Sequence, residues 1–354
     1  MNKITTVGVD LAKEVIVVCA ADAQGRAIYF KQFSFAGFGE WAANLPPCVI
    51  GMEACSSAHH WARYLAERGH TPKLMAAELV APFRMSRGAK NDRNDAQAIL
   101  CAVLQPNMRF VTAKSIDQQA MLAWHRARAG YLEERKALLN RTRGQLAEFG
   151  VWLGRSTAVL MRQLPRLAQE EQLPGLFRPI LAHALEHLRQ IDERVAECDT
   201  RIREHVKHSE AAQRVQAIVG LGPLTASALV ATIANPRDFR NGRQMSAWGG
   251  LVPCQDSSGG KTRLGSITKR GDTYLRGLLT QGARSTLQVA LKREMIRRSR
   301  LEHWIVALHG RAGYHKTLVA IANKHLRTVW AILAHGEDYD PNAWRRHHLA
   351  AQHA

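Results

Sequence analysis

The sequence of 354 residues has few of the features that mark zinc, disulfide-bonded or membrane proteins. None of its six cysteines belongs to a Cys-x-x-Cys pair, and most lie in apolar runs, where cysteine acts as a small hydrophobe. The histidine pairs at 59–60 and 347–348 have no partners at metal-ligand spacing. No long apolar span, secretory signal or basic amphipathic anchor is found. We therefore expect a cytoplasmic protein without zinc, disulfides or membrane contact.

Acidic residues are scarce relative to basic ones. The chain has 30 Asp and Glu against 49 Lys and Arg, which gives a formal charge of +19. Because 46% of its residues are hydrophobic, the chain is globular, and its length allows two or three domains. A charge excess of this size favours a polyanionic partner, of which nucleic acid is the leading candidate.

The first 110 residues predict an α/β domain with a mixed sheet. Residues 4–20 are rich in Val and Ile and fit two strands joined by a tight turn, with a third strand at 26–33. Further strands at 47–53 and 71–77 alternate with helical segments, and a helix is predicted to begin at Asn91.

Residues 111–210 predict long helices. A heptad pattern with charged residues between its apolar positions is typical of a coiled coil. A helical hairpin that packs within the chain explains the pattern equally well. The heptad positions are Leu181, Leu188, Val195 and Ile202 with Ala184, Ile191 and Cys198.

Residues 211–340 predict a second helical domain that binds phosphate, and 341–354 a basic tail without fixed structure. Gly220 and Gly222 sit in a turn typical of a helix-hairpin-helix, although a plain corner between two helices is the alternative. Residues 259–300 contain eleven Lys or Arg and only two acids. The predicted phosphate contacts here are Lys261, Arg263, Lys269, Arg270 and Arg276.

Four carboxylates stand out against this basic background. Asp10 and Glu53 end two predicted strands, where a charge is costly unless it is solvated, paired or bound to metal. Asp92 and Asp95 are three residues apart, so they share one face at a helix start. Carboxylate oxygens suit Mg²⁺, and two such ions about 3.5–4 Å apart can stabilise both oxygens of a phosphodiester displacement. The set therefore predicts a site for two Mg²⁺, with Mn²⁺ as a substitute.

This order of carboxylates is similar to that of RNase H-like nucleases of the RuvC type. The sugar-kinase and actin group also begins with a strand ending in Asp, but its small-residue phosphate turn is replaced here by Leu11-Ala12-Lys13.

Just before the aspartates, the basic stretch at 84–90 predicts phosphate contacts, with an ordinary exposed helix end as the alternative. The basic residues concerned are Arg84, Arg87 and Lys90.

The stretch SSGG at 257–260 is, on residue types alone, a flexible loop. A serine hydroxyl needs a base, a metal or strong electrostatic assistance to act as a nucleophile at neutral pH. The cations that follow it could stabilise a phosphorane-like transition state. Both the loop and the nucleophile interpretations stay open at this point.

Together, GVDLAKE, GMEAC, KNDRNDAQAI, GLGPLTASALVA and LVPCQDSSGGKTRLGSITKRGD resemble the DEDD-type insertion-sequence transposases of the IS110 family. The Piv invertase is a relative of that group. The match is ordered and runs from Asp10 to past Leu279. The sequence after about Arg300 departs into basic and His-rich residues.

The resemblance implies a RuvC-like domain at 1–110, a coiled-coil dimerisation segment at 111–210 and a transposase domain at 211–340. It implies that Asp10, Glu53, Asp92 and Asp95 bind Mg²⁺. Ser258, with Ser257 in reserve, would attack a DNA phosphate and form a phosphoserine link. It further implies donor and target DNA, a structured bridge RNA as guide, a homodimer or tetramer that pairs one subunit's tetrad with another's serine, and association with the nucleoid.

Two other functions fit the same residues. A RuvC-like nuclease or junction resolvase would hydrolyse DNA with metal-activated water and leave Ser258 structural. A nucleic-acid packaging protein would use the carboxylates only to stabilise its fold.

Overall fold

In a computed structural model, the structure describes residues 3–84, 92–257 and 261–341. The chain divides into two compact units. The first contains residues Met1–Ile116 and Ile233–Arg240, and the second contains Asp117–Thr232 and Asn241–Ala354. Three residues predicted to contact DNA or act on it, Arg87, Lys90 and Ser258, lie outside the described residues, as do residues 342–354 of the predicted tail.

The first unit is built on a five-stranded mixed sheet with the order β3-β2-β1-β4-β5, which confirms the predicted α/β class. Its apolar strands β1 and β2 lie in the centre and are almost wholly buried. The strands are β1 Thr6–Leu11, β2 Ile16–Ala21, β3 Ala27–Phe33, β4 Val49–Glu53 and β5 Thr71–Met75. The helices are α1 Phe35–Ala43, α2 Ala58–Ala66, α3 Ala77–Val80 and α4 Asp92–Val103, with a short 3₁₀ turn at Ala81–Phe83.

Strand direction brings two chain segments to one edge of this sheet. β1 pairs antiparallel with β2 but parallel with β4, and β4 pairs parallel with β5. Val9 lies opposite Met52 in the parallel register, so the residues that follow them, Asp10 and Glu53, are neighbours at the carboxyl ends of their strands. The carboxyl edge of a parallel sheet is a common place for a functional site.

Two glycines let α4 lie directly on the sheet. A Cβ atom at Gly8 of β1 would collide with backbone atoms of Ala96 and Leu100 on α4. A Cβ atom at Gly51 of β4 would lie 2.8 Å from Cβ of Val103. Because the missing side chains are what make room for the helix, the backbone of α4 is held close to β1 and β4.

The second unit is mostly helical, and α11 and α12 begin at well-formed caps. Asp272 accepts hydrogen bonds from the backbone N–H groups of Tyr274 and Leu275, and Ser299 forms a capping box with Glu302. Its elements are α5 Ile116–Glu148, α6 Thr157–Leu167, α7 Arg178–His208, α8 Glu210–Gln216, α9 Pro223–Thr232, α10 Gly242–Trp248, β6 Pro253–Gln255, β7 Leu264–Ile267, α11 Thr273–Lys292, α12 Arg300–Ala312 and α13 Tyr314–His335.

The two long helices α5 and α7 pair with each other within the chain. Nε of Arg128 lies 2.6 Å from Asp199, and Nε of Arg135 lies 2.5 Å from Asp192. The heptad residues Leu181, Leu188, Ile191, Cys198 and Ile202 are buried. The apolar heptad residues of α7 therefore pack in a helical hairpin within the chain. This is one of the two arrangements, hairpin or coiled coil, that the sequence allowed. None of the described helices is long and apolar enough to cross a membrane.

A buried polar network ties together α5, α7, α9 and α11. The two ring nitrogens of His125 lie 3.0 Å from Tyr274 Oη and 3.0 Å from Ser227 Oγ, and His205 Nδ1 lies 3.0 Å from the same Ser227 oxygen. Burial lowers the pKa of His125 to about 4, so this ring is neutral at pH 7. Ser227 is fully buried, which makes the arrangement a structural tie and not an exposed nucleophile with its base.

The close contact at Gly8 yields a direct prediction. Gly8→Ala should destabilise the protein by about 1–3 kcal/mol or more, because the new methyl group meets backbone that cannot rotate away. Gly130→Ala in α5 is the matched control, since a Cβ there meets nothing within 4 Å and the change should be neutral or stabilising. Chemical denaturation of both variants measures the difference, and equal stability of the two would refute the role given to Gly8.

Candidate functional site

Asp10 and Glu53 lie side by side at the carboxyl edge of the sheet. Asp10 is the fifth residue of β1, and Glu53 is the last residue of β4. Both side chains are partly accessible, whereas the residues before them on each strand are fully buried. The strands therefore carry two carboxylates out of the apolar core at one point, as the sequence predicted.

Helix α4 brings the other two carboxylates to the same region. Asp92 is its first residue and Asp95 follows three residues later, so both belong to its first turn. A helix N-terminus favours anionic side chains, which accounts for acidic residues there. Asp92 is exposed, whereas only 7% of the surface of Asp95 is accessible. The packing of α4 at Gly8, two residues before Asp10, fixes this turn beside the strand ends.

The four carboxylates act on one another electrostatically. The pKa of Asp10 is raised from 3.8 to about 6, first by burial and then by the negative charges of Asp95, Asp92 and Glu53. Arg84 opposes that shift. The three other predicted ligands are therefore close enough to raise the pKa of Asp10, which indicates an anionic cluster whose effect on Asp10 the positive charge of Arg84 only partly offsets.

Arg84 is the residue whose placement the sequence did not foresee. Its Nε lies 2.8 Å from Asp95 Oδ1, and its Nη2 lies 3.3 Å from Glu53 Oε1. The sequence predicted a phosphate contact for this residue, but here its guanidinium joins two of the carboxylates. In the sequence, Arg84 is recognisable only as a basic residue shortly before the two aspartates. That position does not reveal that Arg84 forms ion pairs with Glu53 and Asp95.

The cluster has the donor chemistry of a divalent-metal site. All four side chains offer oxygen, which suits a hard cation such as Mg²⁺, and their mutual repulsion is what such an ion would relieve. Among the residues that the structure describes, no three Asp, Glu, His or Cys side chains are arranged to hold a metal. The guanidinium of Arg84 engages Glu53 and Asp95 together, so two of the four carboxylates are held in ion pairs.

Two short strands, β6 and β7, form a hairpin that carries Ser257, the one described residue of the predicted serine loop. β6 and β7 pair antiparallel, and Asp256 donates its backbone N–H to the carbonyl oxygen of Arg263. The base of the hairpin is held by Gly250 and Gly271, which both have positive φ. A Cβ atom at Gly250 would collide with Arg270, and one at Gly271 would collide with Trp248. The hairpin is therefore anchored firmly at the end where α11 begins.

Ser257 is exposed, and its hydroxyl oxygen accepts two hydrogen bonds. The donors are Gln255 Nε2 at 3.0 Å and the backbone N–H of Arg263 at 3.2 Å. Four of the predicted phosphate-binding residues are exposed around this hairpin, and the fifth, Arg276, is half-buried and donates to the carbonyl oxygen of Arg270. The exposed four are Lys261, Arg263, Lys269 and Arg270.

The two glycines of the predicted helix-hairpin-helix turn differ in how closely they are packed and in their exposure to solvent. Gly220 has a φ of 91°, and a Cβ atom there would collide with Thr286 and Gly282 of α11, so close packing accounts for it. Gly222 is exposed, and a Cβ atom at its position would meet nothing within 4 Å. Of the two, Gly222 has the surface access that a phosphate contact requires.

Comparison with known proteins gives matches over most of the chain. Residues 7–150 match a family model of DEDD transposases of IS110, and residues 212–298 match a model described as the transposase IS116/IS110/IS902 family. A probable family 20 transposase of Pseudomonas aeruginosa is 39% identical over 96% of this chain and 99% of its own. The transposase for insertion sequence element IS1328 of Yersinia enterocolitica is 35% identical, over 95% of this chain and 98% of its own. The transposase for insertion sequence element IS1111A of Coxiella burnetii is 36% identical, over 96% of this chain and 92% of its own.

Substitution of Arg84 tests whether its guanidinium competes with metal. Arg84→Gln should raise the affinity for Mg²⁺ or Mn²⁺ by about tenfold, because two ion pairs no longer have to be broken. The metal-free variant should also melt a few degrees lower. Isothermal titration calorimetry measures the affinity. Arg68→Gln serves as the control, because its contacts are a 4.0 Å pair with Glu67, a hydrogen bond to the carbonyl oxygen of Tyr64 and a cation–π contact with the Tyr64 ring, all outside the cluster. Weaker metal binding by Arg84→Gln would count against competition.

The raised pKa of Asp10 predicts a pH dependence of stability without metal. Since the folded state holds this proton up to about pH 6 and the unfolded state only to about 4, stability should fall as pH rises from 4 to 6. The loss should be on the order of 1 kcal/mol, after allowance for solvent screening. Denaturation in a chelator should show this slope in the wild type, and Asp10→Asn should reduce it. The same slope in both proteins would contradict the assignment.

Proposed function

The chain belongs to the IS116/IS110/IS902 family of transposases, and on that premise we propose that it cuts and rejoins DNA at a metal site formed by its four carboxylates. It is an enzyme of an insertion sequence, and membership of a transposase family decides against the packaging hypothesis. The observation that carries the proposal is the anionic cluster at the sheet edge, in a chain whose formal charge is +19. Such carboxylates would repel a DNA phosphate unless a cation is bound among them.

We assign the metal ligands to Asp10, Glu53, Asp92 and Asp95, and the metal to Mg²⁺, with two ions as the working number. Such ions would stabilise the attacking and leaving oxygens of a phosphodiester. The carboxylates would position those ions, and the exposure of Asp92 leaves one side open to a substrate phosphate. The mixed order of the sheet and its paired strand ends support an RNase H-like, RuvC-type domain here.

The serine step is assigned to Ser258. Its hydroxyl oxygen would form a bond to a DNA phosphorus, the bond from phosphorus to a sugar oxygen would break, and the released sugar hydroxyl would take up a proton. The product is a phosphoserine link that a second sugar hydroxyl can resolve with no net loss of phosphodiester bonds. The exposed Lys261 and Arg263 lie next along the hairpin, where they can stabilise the added negative charge.

Ser257 is the less suitable of the two serines. Its hydroxyl oxygen already accepts hydrogen bonds from Gln255 and Arg263, which withdraw electron density from a nucleophile. We therefore give Ser257 the role of shaping the hairpin.

Guide RNA and oligomer formation complete the proposal. The resemblance to bridge-RNA-guided transposases, together with the excess of Lys and Arg, supports a structured RNA as a second polyanionic partner beside donor and target DNA. We propose that the α5–α7 segment, within 111–210, extends its hairpin into contact between subunits of a dimer or tetramer. The domains at 1–110 and 211–340 would then supply the tetrad and the serine from different subunits.

A metal-dependent nuclease or junction resolvase is the alternative. It is favoured by the four carboxylates, which could bind metal and activate water without any serine.

Covalent trapping separates these two functions. The wild type with Mg²⁺ and an element end should yield a protein–DNA adduct that survives denaturation, and Ser258→Ala should lose it at least a hundredfold because no phosphoserine can form. Ser257→Ala is the matched control and should keep most of the adduct. Nicked DNA that persists in Ser258→Ala without an adduct would support the nuclease. An adduct lost only in Ser257→Ala would transfer the role to that serine.

A further inference from the structure

A second concave site lies in the helical unit, among residues that the transposition mechanism does not use. It is a cavity of about 990 Å³, bordered by the start of α10, by α12 and α13, and by the segment after α13. Cavities of about 300–1,000 Å³ are the size that encloses a small organic ligand. A volume of this size suits a single nucleotide better than a length of duplex.

One wall of the cavity is cationic. Four basic side chains from three different helices line it and are exposed to solvent: Arg243, Arg300, Lys324 and Arg327. Burial and the positive charges of Arg327 and Arg300 lower the pKa of Lys324. The positive charges of Lys324, Arg327 and Arg300 therefore repel one another, and a bound phosphate would relieve this repulsion.

Aromatic rings stand beside these cations. Trp304 of α12 and Trp330 of α13 both line the cavity and are half-buried. The ammonium group of Lys324 lies 5.1 Å from the centre of the Trp304 ring. Indole rings with adjacent cations are the usual means of holding an unpaired base and its phosphate, because every base has a face that can stack.

Polar groups complete the lining. His325 lines the cavity with only 3% of its surface accessible, and its Nδ1 has no hydrogen-bond partner among the described residues, whereas its Nε2 lies 3.4 Å from Thr286 Oγ1. Glu337 and Asp338 line the cavity from the segment after α13, and Asp338 also pairs with Arg214. Carboxylates of this kind accept hydrogen bonds from the amino groups of bases.

From this arrangement we propose that the cavity binds an unpaired nucleotide of single-stranded nucleic acid. The base stacks on Trp304 or Trp330, and the phosphate contacts Arg300, Lys324 and Arg327. The acidic segment at 337–340 faces the edge of the base. No described residue that lines the cavity belongs to the carboxylate cluster or to the serine hairpin, so the proposed site goes beyond the strand-transfer chemistry.

An acidic peptide is the other ligand that a cationic wall could take. It is less suitable, because its carboxylates would meet Glu337 and Asp338, and because the tryptophans would have no planar group to stack on. A nucleotide uses the cationic, aromatic and acidic groups together.

The test compares single-stranded with duplex binding. The double variant Trp304→Leu/Arg327→Gln should bind a single-stranded oligonucleotide of about 12 nucleotides roughly tenfold more weakly than the wild type, and a duplex of the same length with less than twofold change. The matched control Trp152→Leu/Arg166→Gln changes two exposed residues outside the cavity and should leave both affinities unchanged. Equal losses in the two double variants, or equal losses for single strand and duplex, would overturn the proposal.

Photocrosslinking locates the contact. An oligonucleotide with one 5-iodouracil should crosslink to Trp304 or Trp330 in the full-length protein, and mass spectrometry maps the crosslinked residue. The experiment uses the oligonucleotide as DNA and as RNA. The form that crosslinks identifies whether the bound strand is DNA, RNA or either. Crosslinks confined to other residues would refute the site, as would displacement by a glutamate-rich peptide as effective as the oligonucleotide. If Trp304→Leu lowers the melting temperature, Arg300→Gln/Arg327→Gln replaces it, since both arginines are exposed.

Discussion

The contact of α4 with the sheet at Gly8 is the constraint on which the site depends. Asp10 follows Gly8 by two residues along β1, and Asp95 precedes Ala96, whose backbone fills the space that a side chain at Gly8 would need. A helix held farther from the sheet by one methyl group would carry its first turn away from the strand ends. The absence of a side chain at one position thus sets the spacing of carboxylates that are more than eighty residues apart.

The electrostatics of the cluster follow from that spacing. Burial, and after it the charges of the three other carboxylates, raise the pKa of Asp10, and Arg84 offsets part of the repulsion by joining Glu53 and Asp95. On the proposed function, divalent ions would replace this guanidinium and leave Arg84 available for a substrate phosphate, the contact that the sequence suggested. The same side chain would then stabilise the carboxylate cluster of the metal-free protein and contact DNA once metal is bound.

Local patterns predicted much of the fold, because strands rich in Val and Ile and a helix beginning with two aspartates have local signatures. The mixed five-stranded sheet is confirmed for that reason. The partners of Arg84 could not be read from the sequence, since Glu53 lies 31 residues away and the contact depends on tertiary packing. Apolar residues at heptad positions, such as Leu181 and Leu188, predict that α7 packs against another helix. They do not predict whether that helix belongs to the same chain. The nucleotide cavity draws residues from 218 to 341, so no single stretch of sequence reveals it. The serine role stays a prediction.

The most direct test of the central claim, that four distant carboxylates form one metal site, is anomalous diffraction from crystals soaked in Mn²⁺. We expect one or two manganese peaks in contact with oxygens of Asp10, Glu53, Asp92 and Asp95, with the Arg84 guanidinium displaced from Glu53 and Asp95. Manganese bound only elsewhere, or none bound while Arg84 keeps both ion pairs at saturating metal, would contradict that claim.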